Sequence, residues 1–334
     1  MIDNEEKLRR ELETFNDNIN VHDLPDIFHY WSNKYLRPML EEYGISHPDD
    51  LFVKHMFDSA DLCGVENPIF ISIGSGNCDT EIRIAKRLKD KGLKNFCIEC
   101  LELNPNMLKR GHDLAVEEGV VEHLSFIVSD FNHWKANREY VSVIANQSLH
   151  HIQNLEGVFG EIKKSLHPNG AFITSDMIGR NGHQRWPEAL DAVHGFWQEL
   201  PEAYKYNHQL KRFEVMYENW DCSTEGFEGI RAQDILSLLI ENFHFHLFIV
   251  FANVIDVFID RGFGHNFNPA NQWDTDFIDK IHQFDEASIR KGTIKPTHMM
   301  AVMKKSPATE PDYSRGLSPG FCVREPADII GLVP

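Results

Sequence analysis

From Pro68 onward, short apolar runs alternate with longer amphipathic stretches, and this rhythm constrains the fold more than any other feature of the chain. The runs are IFISIG (69–74), FCIECLEL (96–103), LSFIVSD (124–130), VSVIANQ (141–147) and GAFITSD (170–176). Between them stand EIRIAKRLKDKG, PNMLKRGHDLAVEEG and LEGVFGEIKKSLHPNG. Strands and helices alternating at this pace form βαβ units with right-handed crossovers around a parallel sheet. The expected class is α/β, with a doubly wound sheet. Glycines 92, 119 and 170 follow the helical stretches, where left-handed caps belong.

The first unit offers a ligand site. Strand IFISI runs into Gly74-Ser75-Gly76-Asn77 and a helix that starts near Asp79. Glycines there let a ligand approach the backbone, and the helix start presents unpaired N–H groups. A dinucleotide fingerprint requires G-x-G-x-x-G, but Asp79 occupies the third glycine position, where its charge opposes a pyrophosphate. This argues against NAD and FAD. The next strand ends in Leu101-Glu102-Leu103-Asn104-Pro105, so Glu102 sits at its carboxyl tip, suited to both hydroxyls of a ribose. The third ends in Ser129-Asp130-Phe131, where Asp130 can accept from an adenine amine and Phe131 or Leu103 can cover a ring face. Three successive strand tips line one crevice at the carboxyl edge of the sheet.

In their order and gaps, ISIGSGNCDTEIRIAKRL, CLELNPNML, IVSDF, NQSLHHI and SLHPNGAFITSD resemble the class I (Rossmann-like) methyltransferases of the small-molecule type, over about residues 65–180. The ending HMMAVMKK resembles that family's antiparallel last strand, which implies a mostly parallel, seven-stranded sheet. The resemblance implies S-adenosyl-L-methionine as cofactor and S-adenosyl-L-homocysteine as product. Gly74, Ser75 and Gly76 would line the methionine and ribose, Glu102 would hold the ribose hydroxyls, and Asp130 and Phe131 the adenine. Asn146 and Gln147 would lie near the sulfonium. Two positions depart from the pattern. Ser72 stands where the family often has an acid, and it becomes the expected contact there, while Cys78 replaces the third family glycine. His29-Tyr30-Trp31 resembles the HYD stretch of cyclopropane-forming relatives, which gives Tyr30 an expected contact with the methionine carboxylate.

A sulfonium is already a strong methyl donor, so the protein must align a nucleophile behind the methyl and exclude water. A phenol, alcohol or protonated amine also calls for a general base. His151 is the expected base and His150 a neighbour facing the substrate; the alternative is that histidines here only shape the loop. The stretch 180–230 is too long for an ordinary connection and reads as a substrate lid, opened by His183, Arg185 and Trp186. RGFGHN (261–266) supplies His265 as a second candidate base. Trp186, Phe196, Trp197, Tyr204 and Tyr206 make an aromatic lid or, equally well, an apolar core. The expected reaction is methyl transfer to a small molecule, with oxygen favoured and carbon or nitrogen open. The rivals are methylene transfer to a lipid alkene and a catalytically inactive cofactor-binding partner protein.

The expected units are a helical cap (1–60), the cofactor-binding core (61–180), the lid (181–232), completion of the sheet with a second helical insertion (233–305), and an irregular, proline-rich tail (306–334). In the cap, Phe28, Trp31, Tyr35, Met39 and Tyr43 recur at helical spacing, with Pro38 expected to kink or interrupt the helix. A formal charge of −18 argues against nucleic acid or an anionic membrane as partner. No apolar run approaches the roughly 20 residues of a membrane span. The charged start MIDNEEKLRRELETF carries no secretory pattern, so a cytoplasmic location is expected. A homo-oligomer is compatible with all of this. Cys97 and Cys100 fall three apart on a strand and point to opposite faces, so no redox or metal pair is expected. His244 and His246 share a strand face without a third ligand nearby, so no metal is expected there either.

Overall fold

The computed structural model describes residues 24–324, together with Glu6 and Arg9. Most of the charged N-terminal stretch, and the tail prolines Pro326 and Pro334, lie outside the described residues.

Eight strands form the central sheet: β1 (Ile69–Ile73), β2 (Cys97–Glu102), β3 (Leu124–Val128), β4 (Tyr140–Asn146), β5 (Leu166–Met177), β8 (His244–Phe251), β9 (His298–Lys304) and β10 (Asp312–Tyr313). The short strands β6 (Tyr206–Asn207) and β7 (Arg212–Phe213) make a separate hairpin. The sheet order is β10-β8-β9-β5-β4-β1-β2-β3. All neighbours are parallel except β9, which runs antiparallel to β5 and β8. The chain order reverses between β1 and β4, and such a switch point opens a crevice at the carboxyl ends of the strands.

The expected count of seven strands is corrected to eight. β10 lies in the segment expected to be irregular and pairs with Leu247 and Phe248. Two residues are too few to show a period, and Pro311 immediately before them reads as a loop.

Alternation along the strands builds two cores. Phe70, Ile98, Ile144 and Ile173 face helices α1 (Asp49–Cys63), α2 (Asp79–Asp90) and α3 (Pro105–Glu117), meeting Phe52, Met56, Ile82 and Leu108. Ile71, Val143, Phe172 and Phe248 face α4 (Leu155–Ser165) and α6 (Ala232–Asn242), meeting Phe159, Ile162 and Leu239. Full burial of each such side chain contributes ~1.5–3 kcal/mol. Gly92 and Gly119 take left-handed backbone after α2 and α3 as expected. Gly170 does not: it lies inside β5, where a Cβ would stand 2.5 Å from the Val141 carbonyl oxygen.

A third core stands apart from the sheet. Helix α5 (Pro187–Glu199) buries Ala189, Val193, Phe196 and Trp197 against Phe258, Phe263, and Phe277 and Ile278 of α7 (Gln272–Lys291), with Ile27 and Trp31 from the N-terminal segment. That segment is helical through Asp26–Trp31, Ser32–Leu36 and Arg37–Glu41. Pro38 does not end it. The turn just before the proline is a wide π turn, the usual way a helix absorbs a missing N–H. α1 lies on the face of β4 and β5 rather than over the strand tips.

Candidate functional site

The turn after β1 is held from below. The Gly74 and Ser75 N–H groups donate to the Leu101 carbonyl at 2.9 and 3.1 Å. Gly74 has φ +72°, and a Cβ there would fall 2.6 Å from that of Ser148, in the loop after β4. Ser148 fastens the two loops by donating its hydroxyl to the Ile73 carbonyl at 2.6 Å. Glycine is required by conformation and by space together. Cys78 precedes α2 with φ +60° and offers no side-chain cap, so the helix start keeps N–H groups without a side-chain partner.

Glu102 sits at the tip of β2 and spans this turn. Its Oε2 accepts from Gly76 N–H at 3.0 Å, and its Oε1 from Leu103 and Asn104 N–H at 2.8 and 3.0 Å. A carboxylate offers about four acceptor directions, so one remains. Burial pushes its pKa up, against the pull of these three donors. At the tip of β3, Asp130 accepts from Asn132 N–H and from His133 Nδ1, the latter at 2.6 Å. These donors hold its pKa below the usual range, against the cost of partial burial. Phe131 and Leu103 are half-buried beside these two acids. Asn146 at the tip of β4 donates to Thr80 Oγ1 at 3.3 Å, and Gln147 adopts φ +54°. The residues expected from β1 to β4 therefore do converge at one sheet edge, with one exception. Ser72 is 1% exposed and donates its hydroxyl to Glu81 Oε1, beneath the turn rather than into the crevice.

The second half of the site is a cluster of imidazoles and carboxylates. Asp176, near the end of β5, is fully buried and accepts from the Ser148, Leu149 and Met177 N–H groups and from His150 Nδ1, the last at 2.6 Å. Glu228, from the stretch 181–232, meets three histidines. His183 Nε2 is 2.6 Å from its Oε1, His150 Nε2 is 3.3 Å from the same oxygen, and His151 Nε2 is 3.3 Å from Oε2. Desolvation disfavours a charged His150, yet Asp176 and Glu228 outweigh it and raise its pKa to about 10. Burial shifts the His183 pKa down, against the pull of Glu228, whose Oε1 lies 2.6 Å from its Nε2. Glu228 overcomes its own burial through these donors and titrates well below the carboxylate range.

Two expected residues lie elsewhere. Tyr30 donates its hydroxyl to Asp279 of α7 at 2.9 Å and packs in the third core, away from the core beneath the glycine turn. His265 is exposed and its ring stands 5.3 Å from that of His208, so it does not join the His150 cluster. Trp186 packs its ring against the guanidinium groups of Arg180 and Arg324, at 5.3 and 4.2 Å. Of the aromatics expected to form a lid, Phe196 and Trp197 are core residues, and Tyr204 donates to Asp274 at 2.7 Å. Arg185 is buried: its backbone pairs with Asn219, one guanidinium nitrogen lies 3.5 Å from Asp256, and its Nε has no partner.

Two key groups escaped the sequence reading. Asp176 ends GAFITSD, and the strand-tip logic that found Glu102 applies to it unchanged. Glu228 lies in TEGFEGI, a stretch without periodicity, and carries no such signal.

The sequence profile of a family described as a methyltransferase domain matches residues 66–234, just over half of the chain. A malonyl-[acyl-carrier protein] O-methyltransferase of Ilyobacter polytropus is 25% identical over 143 residues, 43% of this chain and 53% of that protein. The chain thus spans about half the length of this curated relative. Among solved structures, the O-methyltransferase of a trans-AT PKS multienzyme of Brevibacillus brevis, with S-adenosyl-L-homocysteine, aligns at 13% identity and TM-score 0.43 over 86% of this chain and 82% of its own. The geranyl diphosphate C-methyltransferase of Streptomyces coelicolor aligns at 9% and 0.41, over 72% of each chain. The profile match is decisive: this chain belongs to the methyltransferase-domain family, that of the class I S-adenosylmethionine-dependent methyltransferases.

Proposed function

We propose that this chain methylates an oxygen atom of a small-molecule acceptor, with His151 as general base. The observation that carries the reading is the Ser148–Gly74 contact, which ties the cofactor turn to the loop bearing His150 and His151. The residues present fit the cofactor. Gly74 to Gly76 give side-chain-free backbone for the methionine and ribose, Glu102 keeps an acceptor direction for a ribose hydroxyl, and Asp130 and Phe131 suit the adenine. Asn146 and Gln147 complete the edge. When bound, S-adenosylmethionine supplies an electrophilic methyl on a sulfonium. His151 is then the proton acceptor, because Glu228 faces its Nε2 and stabilises the imidazolium that forms. His150 is locked between Asp176 and Glu228, and it positions the loop rather than taking the proton.

A second reading is favoured by Arg185. A buried guanidinium with an unpartnered Nε suits an acceptor carboxylate, which needs no base. The relative named as acting on malonyl-[acyl-carrier protein] agrees with a carboxylate.

The test is a methyl-transfer assay against matched alcohol, phenol, carboxylic acid and amine panels, read as S-adenosylhomocysteine release and product mass. Turnover confined to amines or carbon acids would overturn oxygen as the acceptor. Carboxylate turnover that survives His151→Ala and collapses in Arg185→Lys would select the second reading. Calorimetry with S-adenosylhomocysteine and with NAD checks the cofactor independently, and binding of NAD alone would refute it.

A further inference from the structure

We infer that His150, His183 and Glu228 form a binding site for a divalent first-row transition-metal ion. One ligand atom from each lies within 4.8 Å of the other two, and no other group of three such side chains converges among the described residues. From sequence, no metal is expected at Cys97 with Cys100 or at His244 with His246. Those pairs do not converge on a third ligand, and His246 donates from Nε2 to the Ser306 carbonyl instead.

Four observations support the site. His150 is oriented from behind: its Nδ1 is held by Asp176 at 2.6 Å, and Asp176 is held by three backbone N–H groups. Nε2 is therefore the ring atom that faces the gap, and a carboxylate behind a metal-binding histidine is the common supporting arrangement. The spacing is also close to that of ligands on one ion. Atoms bound at ~2.1 Å stand roughly 3 Å apart, and Glu228 Oε1 lies 3.3 Å from His150 Nε2 and 2.6 Å from His183 Nε2. The backbone is strained to bring the ligands together. His183 takes φ +53°, a costly conformation for a side-chain-bearing residue, and Gly182 N–H binds the Gly229 carbonyl at 2.9 Å, next to Glu228. Last, the donor chemistry is selective. Two imidazoles and one carboxylate suit Mn²⁺, Fe²⁺, Co²⁺ or Zn²⁺, whereas Ca²⁺ and Mg²⁺ prefer all-oxygen sites.

Three protein ligands leave coordination positions open. Resting on the proposed oxygen methylation, one of those positions takes the acceptor oxygen, and the ion lowers the pKa of its O–H beside His151. Without an ion, the same groups form a hydrogen-bonded imidazolium–carboxylate cluster, which is the competing outcome of the test.

The experiment titrates the chelator-stripped full chain with Co²⁺, with no cofactor or acceptor present, following visible absorption and calorimetric stoichiometry. One equivalent bound with ligand-field bands is expected, and His183→Ala and Glu228→Gln each weaken binding at least tenfold, with folding checked by circular dichroism. His112→Ala, at an exposed histidine, keeps parental affinity. No uptake by the parent overturns the site, and so does uptake that both variants retain or that His112→Ala loses equally. The parent spectrum decides even where a variant misfolds. S-adenosylhomocysteine binding is measured in the same samples. A parent that takes the nucleoside but no Co²⁺ loses the metal and keeps the methyltransferase reading; the reverse pattern keeps the metal and loses that reading.

Discussion

Ser148 leaves no room for a side chain at Gly74: an added Cβ would lie 2.6 Å from the serine Cβ, at a backbone angle that already favours glycine. Gly74→Ala is therefore expected to cost ~2 kcal/mol or more, combining left-handed strain with overpacking. Denaturant unfolding checks the stability, and calorimetry should show at least tenfold weaker S-adenosylhomocysteine binding. Parental values for both would mean that the two loops part without cost.

Glu102 carries the ribose assignment. Glu102→Ala removes the acceptor of three backbone N–H groups and the charge proposed to face the ribose. A loss of at least tenfold in S-adenosylhomocysteine affinity, ~1.4 kcal/mol, is expected by calorimetry. An unchanged affinity would place the ribose elsewhere.

His151 is expected to act in turnover and not in cofactor binding. His151→Ala should lower kcat at least 100-fold on an alcohol or phenol that the parent methylates, the lower end of general-base contributions. S-adenosylhomocysteine affinity should stay within about twofold. Full turnover in this variant would remove the base assignment.

Asp176 is a stability residue as much as a positioning one. Asp176→Ala strips four donors of their acceptor in a fully buried place, so ~3–5 kcal/mol of destabilisation is expected. Asp176→Asn retains one acceptor oxygen and should cost less. Equal and small effects in chemical denaturation would argue against a buried charge here.

Glu81 predicts a pH dependence. It is fully buried; desolvation raises its pKa from 4.5 to about 7, and the hydrogen bond from Ser72 only partly offsets this. Its folded pKa lies above the unfolded one, so its contribution to stability is complete below pH 4.5 and is lost as pH rises through about 7. Glu81→Gln should therefore match the parent near pH 5 and exceed it by ~1–3 kcal/mol near pH 8. Parallel stability curves for the two proteins would contradict this.

The core of the fold was legible because strand alternation and helical periodicity are local signals. IFISI, FCIECLEL and VSVIANQ lie within a residue or two of β1, β2 and β4. Glu102 and Asp130 could be placed at strand tips because a strand tip is a position that a sequence displays. Glu228 could not be placed, because it reaches His150 through a turn-rich segment whose course depends on contacts such as Gly182 with Gly229. Tyr30 and His265 failed for the same reason from the other side. Both drew roles from neighbours in sequence, whereas tertiary packing gave them Asp279 and His208 as partners. Phe196 and Trp197 carried no mark of which surface they would cover, since a lid and a core use the same side chains.

Among the described residues, the third core shares with the sheet cores only Leu36 and Phe251, both at its margin. Substitutions within Ala189, Val193, Phe196, Phe258 or Phe277 consequently act on a module of their own. A change there loosens the packing of the helical insertions before it reaches the sheet, so the two parts can gain or lose stability separately.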